Sequence, residues 1–266
     1  MMTVEQKKIY GCVAGCCGVF FLLACFACVL DPVISRDGTL YLKMVDIWQK
    51  DGNFQAILEQ FTNFWIPPFY LWLVKCAVDL GVPLEVAGRG INILSGTMLP
   101  LIVFLIGEEV QKDKRVSLTA SVLMAVNPRM LELSVEVQRD MVYLALSGWI
   151  LYFCLRGLLR KEIIPWLLAG ILCSCSVLTR YETVEFIPLL FFAFLLFLIR
   201  KKLDWKLVAR QIGTLICSGL ISFCLLIFLM GVHGHLLKFY RTYYSGKYTM
   251  VQMLYAKPEL SMEGRK

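Results

Sequence analysis

The sequence predicts an all-α, polytopic transmembrane helical bundle of about seven spans, with extracytoplasmic amphipathic helices after the first span. Two observations carry this. Apolar residues make up 58% of the 266 and charged residues 18%, against roughly 45–50% and about 25% in soluble domains; mean hydropathy is +0.67. The apolar residues also fall in long runs separated by short polar or basic segments, several of them long enough to cross a bilayer. The net charge of +7 does not mark a nucleic-acid binder, because the basic residues sit in clusters between apolar runs, where they set topology.

Lys7 and Lys8 precede an apolar run over 9–30 that is too long for a signal-peptide core and has no good cleavage site, so it is expected to be an uncleaved first helix. Next, Arg36-Asp37-Gly38-Thr39-Leu40-Tyr41 opens a short amphipathic helix that closes at the turn signal Asp51-Gly52-Asn53. Leu40, Met44 and Ile47 share one face of it, and Lys43, Asp46 and Lys50 the other. Such a helix lies on the membrane surface. Asp37 has two compatible readings there, a cap for free backbone N–H groups and a general base toward an acceptor hydroxyl or amine.

A second surface helix is expected from Pro67-Pro68 to Gly81, short for a span and carrying Lys75 and Asp79. Spans are expected over 86–106, 116 to the break at Asn127-Pro128, 141–155, 163–178, 184–199 and 207–232. Residues 129–140 form a polar connection. The bundle and its surface helices form one module over 1–235, with the first external loop over 31–85. Residues 236–266 are a basic tail, outside the membrane, or the start of a further part.

Orientation follows from the basic clusters Lys7/Lys8, Lys112/Lys114/Arg115, Arg156/Arg160/Lys161 and Arg200/Lys201/Lys202/Lys206, which belong on the cytoplasmic side. All four can lie there only if the 67–81 helix does not cross; the basic tail would then lie outside, against the rule. Arg36/Asp37, residues 63–68, 129–140, 180–185 and His233/His235 then share the outer side, as an outward polar cavity at the membrane boundary.

The chemistry of these segments is carried by a few residue types. Glu132, Glu136 and Asp140 recur every four residues and share a face if 132–140 is helical. Glu136 and Asp140 are then candidate ligands for a divalent cation such as Mg²⁺ or Mn²⁺; a solvated face paired with Arg129 and Arg139 is the other reading. Arg180, directly after an apolar span, suits a planar phosphate clamp or an interfacial arginine snorkelling beside Tyr181. His233 and His235 flank a glycine, as metal ligands or as the plain end of a span. The eleven cysteines are odd in number and lie mainly within apolar runs, where cysteine packs as a small hydrophobe. No phosphate-binding loop, nucleophile elbow or zincin motif is present. Carboxylates and an arginine at a membrane boundary point to chemistry on a lipid-carried phosphate.

In this order the motifs resemble the GT-C superfamily of polyprenyl-phosphate-sugar-dependent glycosyltransferases, in the branch of protein O-mannosyltransferases and lipid A aminoarabinose transferases. Asp37 and Tyr41 match an external Asp-x-x-x-Tyr; Pro67-Pro68-Phe69-Tyr70 resembles the paired prolines that start a surface helix. Arg89 to Gly96 is similar to an arginine-led span with a small-residue centre. Asn127-Pro128, Arg139-Asp140 and Leu178-Thr-Arg-Tyr-Glu182 follow in family order. Gly38 departs from the usual acidic neighbour of the loop aspartate, and Trp65-Ile66 stand where one branch has a basic residue.

The resemblance implies an integral membrane enzyme, in a bacterial plasma membrane, that moves a sugar from a dolichyl- or undecaprenyl-phosphate donor to an acceptor lipid, glycan or protein on the extracytoplasmic side. Asp37 is expected to act as base, by direct inverting displacement. Arg36, Tyr41, Pro67, Pro68, Tyr70, Arg139, Arg180, Tyr181 and Glu182 are expected to line the substrate site. Family members are commonly longer, so the chain is expected to be an N-terminal module. A flippase for lipid-linked sugars and a non-catalytic membrane subunit are the alternatives; no internal repeat of the transporter kind is visible.

Overall fold

The computed structural model describes residues 4–61, 67–185, 188–189, 192, 195 and 205–232. Much of the expected span over 184–199, the pair His233/His235 and the 236–266 tail lie outside them. The described residues form helices and no strands: α1 (Val4–Leu30), α2 (Arg36–Asp51), α3 (Gln55–Gln60), α4 (Pro68–Asp79), α5 (Leu84–Thr97), α6 (Leu99–Gln111), α7 (Lys114–Ala125), α8 (Pro128–Val135), α9 (Asp140–Arg160), α10 (Ile164–Val177), a 3₁₀ turn (Tyr181–Glu185) and α11 (Trp205–Leu229). The fold is all-α and polytopic.

Among the described residues, four helical stretches are long and apolar enough to cross a membrane: Glu5–Leu30, Leu84–Gln111, Asp140–Arg160 and Trp205–Leu229. The second is α5 and α6 end to end, with Pro100 in the first turn of α6, where a proline costs no helical hydrogen bond. The expected span after residue 116 is a broken one. α7 has 12 residues, or about 18 Å at the helical rise, short of a hydrocarbon core of about 30 Å. The chain then restarts at Asn127, whose side chain caps α8 by accepting from the N–H groups of Arg129 and Met130. α7 lies against α6 and α8 against α5, so the two half-helices run back together along the α5–α6 span, and α1 packs against both pairs. The connection expected to be polar throughout 129–140 is therefore half helix, with Ser134 and Val135 buried.

α9 packs on α6 and α10, and α10 on α11. The last contact uses small residues, as membrane helices do without a hydrophobic force to join them: Ser174 donates from Oγ to the Gly219 carbonyl at 2.6 Å. At one end of the bundle charged groups pair up: Arg160 with Glu109 (2.7 Å), Lys114 with Glu108 (3.9 Å), and Tyr10 with Glu108 (3.2 Å). Two of the predicted basic clusters gather at this end.

The amphipathic α2 forms over the predicted residues. Its N-cap is Ser35, whose hydroxyl accepts from the Gly38 N–H at 3.1 Å, and Gly52 closes it with φ 64°, a left-handed conformation that glycine takes freely. Asp37 is therefore not the capping residue. The buried face is Tyr41, Met44, Val45, Ile47 and Trp48, with Leu40 only at its edge. It packs with Phe69, Tyr70 and Val74 of α4, Val137, Val142 of α9 and Leu178 into the largest apolar cluster, which sits at the end of the bundle opposite the ion pairs.

Candidate active site

Three chain segments meet at that second end: the start of α2, the link between α8 and α9, and the turn after α10. Two residues one turn apart on α5 hold the first two of them. Arg89, only 5% exposed, donates from Nη1 to the Asp31 carbonyl and from Nη2 to the Pro32 carbonyl, both at 2.8 Å, and pairs with Glu85 at 3.5 Å. Its fork thus fixes the backbone that leads from α1 into α2. Asn92, fully buried, donates to the carbonyls of Glu136 and Gln138 in the α8–α9 link.

The proline pair sets the third segment. Pro67 is the N-cap of α4 and Pro68 its first residue, as proline's fixed φ favours. The next free N–H, on Phe69, donates to the Leu178 carbonyl at 2.9 Å, which ties α4 to the end of α10 two residues before Arg180. Both prolines are buried and shape the site from behind. Tyr70 lies there too: it is fully buried, its hydroxyl donates to the Gly88 carbonyl at 3.3 Å, and its ring meets the edge of Tyr41 at 5.6 Å.

Arg180 is the hub. Its Nη1 meets Asp140 at 2.5 Å and its Nη2 meets Glu182 at 3.2 Å, while the guanidinium lies over the Tyr143 ring at 5.3 Å. A cation between two carboxylates and an aromatic face is well compensated. Burial pushes the Glu182 carboxyl up, but its hydrogen bonds to Arg180 and its own backbone, with the charges of Arg180 and Arg139, bring it below its ordinary value. Arg139 makes no ion pair within 4 Å among the described residues and is half-buried. Burial raises the Tyr41 hydroxyl above its ordinary value, and Arg139, Asp140, Asp37 and Arg180 all act on it through their charges. Gly38, next to Asp37, lies against Val137 in the link that leads to Asp140. Tyr181 and Glu182 open the 3₁₀ turn beside Arg180.

Asp37 itself is exposed, in the first turn of α2. It borders a cavity of about 520 Å³ with Arg36, Thr39, Leu40 and Lys43. One carboxylate beside two cations suits a phosphorylated ligand, and the size falls within the range of small-molecule sites. Lys43 was not among the expected site residues; it follows Arg36 by seven positions and Leu40 by three, the spacing of one helical stripe.

The acidic series breaks up. α8 ends at Val135, Glu136 is extended with φ −73° and ψ 141°, and Asp140 begins α9, so 132, 136 and 140 do not share a helical face. Burial, and then the neighbouring Glu132 charge, raise Glu136 above the ordinary carboxyl value, while Asp140 is committed to Arg180. Among the described residues no three His, Cys, Asp or Glu side chains gather closely enough to hold a metal ion.

The departure at Gly38 has a steric cause. A Cβ there would stand 2.7 Å from Ile34 Cγ2 and 3.2 Å from both Ser35 Oγ and Val137 Cβ. An acidic side chain has no room where α2 meets the α8–α9 link.

No curated protein matches the chain. A family model described as dolichyl-phosphate-mannose-protein mannosyltransferase matches residues 66–230, more than half of the 266 residues; the match runs from before the proline pair to the end of α11, and Asp37 and Tyr41 precede it. The chain therefore belongs to this family of GT-C type, as an integral membrane glycosyltransferase that uses a polyprenyl-phosphate sugar donor.

Proposed function

We propose that the chain transfers a hexose from polyprenyl phosphate to a hydroxyl of an acceptor lipid, glycan or protein, with Asp37 as the base. The observation that carries this is the position of Asp37, on a cavity edged by Arg36 and Lys43, at the end of the bundle where Arg180 meets Asp140. Asp37 takes the proton of the acceptor hydroxyl as its oxygen attacks the anomeric carbon. The bond from that carbon to the phosphate oxygen breaks with inversion, and polyprenyl phosphate leaves with one more negative charge. Stabilising charge that develops in the transition state is where such sites gain most. Arg139, which has no ion-pair partner among the described residues, meets that charge; Arg180, held by Asp140 and Glu182, keeps the wall beside it in place.

The active end faces away from the cytoplasm in this reading, supported by the basic residues at the opposite end. A cysteine at Ser35 is then labelled by an impermeant thiol reagent in intact cells, and one at Lys114 is not. The direct test of the phosphate role is Arg139→Gln in the full-length protein in nanodiscs, with polyprenyl phosphate as the probe. Affinity falls about tenfold to a hundredfold, the weight of one charge-assisted contact; unchanged affinity would remove Arg139 from the role.

A further inference from the structure

We propose that Asn92 is a positioning residue: by clamping the Glu136–Gln138 link onto α5, it sets where Arg139 and Asp140 stand relative to Asp37. The inference rests on the transferase reading above and assigns no contact with substrate to Asn92 itself.

The link is four residues long, between the end of α8 at Val135 and the start of α9 at Asp140. It has one backbone bond of its own, from the Gln138 N–H to the Glu136 carbonyl at 3.0 Å. Two of its four carbonyls, on Glu136 and Gln138, accept from the same amide nitrogen of Asn92. A single buried –NH₂ with two protons satisfies two acceptors there, and no shorter or singly donating group does. The orientation of the amide is fixed, because turning it over would set its oxygen against two carbonyl oxygens.

Shape locks the same link from two sides. Val137 is 1% exposed and sits between two glycines. A Cβ at Gly88 would come within 2.9 Å of Val137 Cγ1, and one at Gly38 within 3.2 Å of Val137 Cβ. So α5 and α2 press on the side chain between the two carbonyls that Asn92 holds. Releasing the amide leaves the Gln138 carbonyl without its partner and the Glu136 carbonyl with only the Gln138 N–H, a cost that favours opening of the link. The next two residues are Arg139 and Asp140, and Asp140 carries Arg180 with it.

The test uses the full-length protein in nanodiscs with Asn92→Ala, Asn92→Asp and Asn92→Gln. Amide hydrogen exchange over residues 136–140 reads the clamp without any need for activity, and exchange in α9 beyond residue 150 reports that the fold is kept. Exchange is expected to rise about tenfold or more in the Ala and Asp variants, with partial restoration in Gln, as for local opening. Transfer from polyprenyl-phosphate mannose is expected to slow by about 10- to 100-fold, the cost of a small displacement of reacting groups. Combining Asn92→Ala with Arg139→Gln is expected to add little to the loss from Arg139→Gln alone.

Unchanged exchange in Asn92→Ala and Asn92→Asp would overturn the clamp. Faster exchange with losses that multiply in the double variant would overturn the positioning role. If the unaltered protein transfers no sugar, the transferase reading fails instead, and the exchange result still decides the clamp.

Discussion

The Arg180 guanidinium meets the Asp140 carboxylate at 2.5 Å, joining the turn after α10 to the first residue of α9 across 40 positions of sequence. This pair and the Asn92 clamp together define where the inner wall of the site stands. The pair is neither fully buried nor free: the two side chains are 27% and 33% exposed, so solvent screens part of the attraction. A double-mutant cycle with Arg180→Met and Asp140→Asn is expected to give a coupling of about 1 kcal/mol, at the upper end for exposed pairs. Thermal unfolding of the four proteins measures it, and additive losses would contradict the contact.

Gly38 makes a second prediction, because the related families place an acidic residue there. Gly38→Glu is expected to destabilise by about 1–3 kcal/mol, as overpacking does, despite the gain in helix propensity over glycine. Lowered thermal stability with donor binding retained is the expected result. A variant as stable as the original would mean that Ile34 and Val137 yield more easily than their distances indicate.

The two perturbed carboxyls give opposite pH signatures. Glu182 is held low in the folded protein, so its contribution is present above the ordinary glutamate value of about 4.3 and is lost as pH falls through the lower folded value. Glu136 is held high, so it costs stability above its raised value, and that cost disappears as pH falls below the ordinary value. Near neutral pH, Glu182→Gln is therefore expected to lower the melting temperature and Glu136→Gln to raise it. Both differences should shrink in acid. Shifts of the same sign in the two variants would show that one of these environments is misassigned.

The sequence and the structure agree most closely where local rules decide. Arg36 to Asp51 carries a helical stripe and a stop at Gly52, and α2 forms over those residues, capped by Ser35 and not by Asp37. Pro67-Pro68 opens α4 for the same local reason. The family resemblance also lies in short motifs that read along the chain, and the match over 66–230 confirms the family. What stayed hidden depends on packing between distant segments. The four-residue recurrence of Glu132, Glu136 and Asp140 suggests a helical face, but Asn92 and Val137 stretch the chain there instead. Asn92 itself carries no signal beyond a polar residue inside an apolar run. Arg180 is visible as a candidate cation, yet only the fold shows that Asp140 and Glu182 already neutralise it and that Arg139 has no ion pair among the described residues. The broken α7–α8 crossing was half legible, in Asn127-Pro128, though its pairing with α5 and α6 was not.

The role of Asp37 is decided by comparing the unaltered protein with Asp37→Asn in full-length form, in nanodiscs, with radiolabelled polyprenyl-phosphate mannose and membrane acceptors. The unaltered protein is expected to transfer mannose, and Asp37→Asn to slow transfer about 10²- to 10⁴-fold, the usual weight of a general base, with donor binding within about twofold because uniform binding is untouched. Equal transfer rates in the two proteins would contradict this and remove Asp37 from the chemistry.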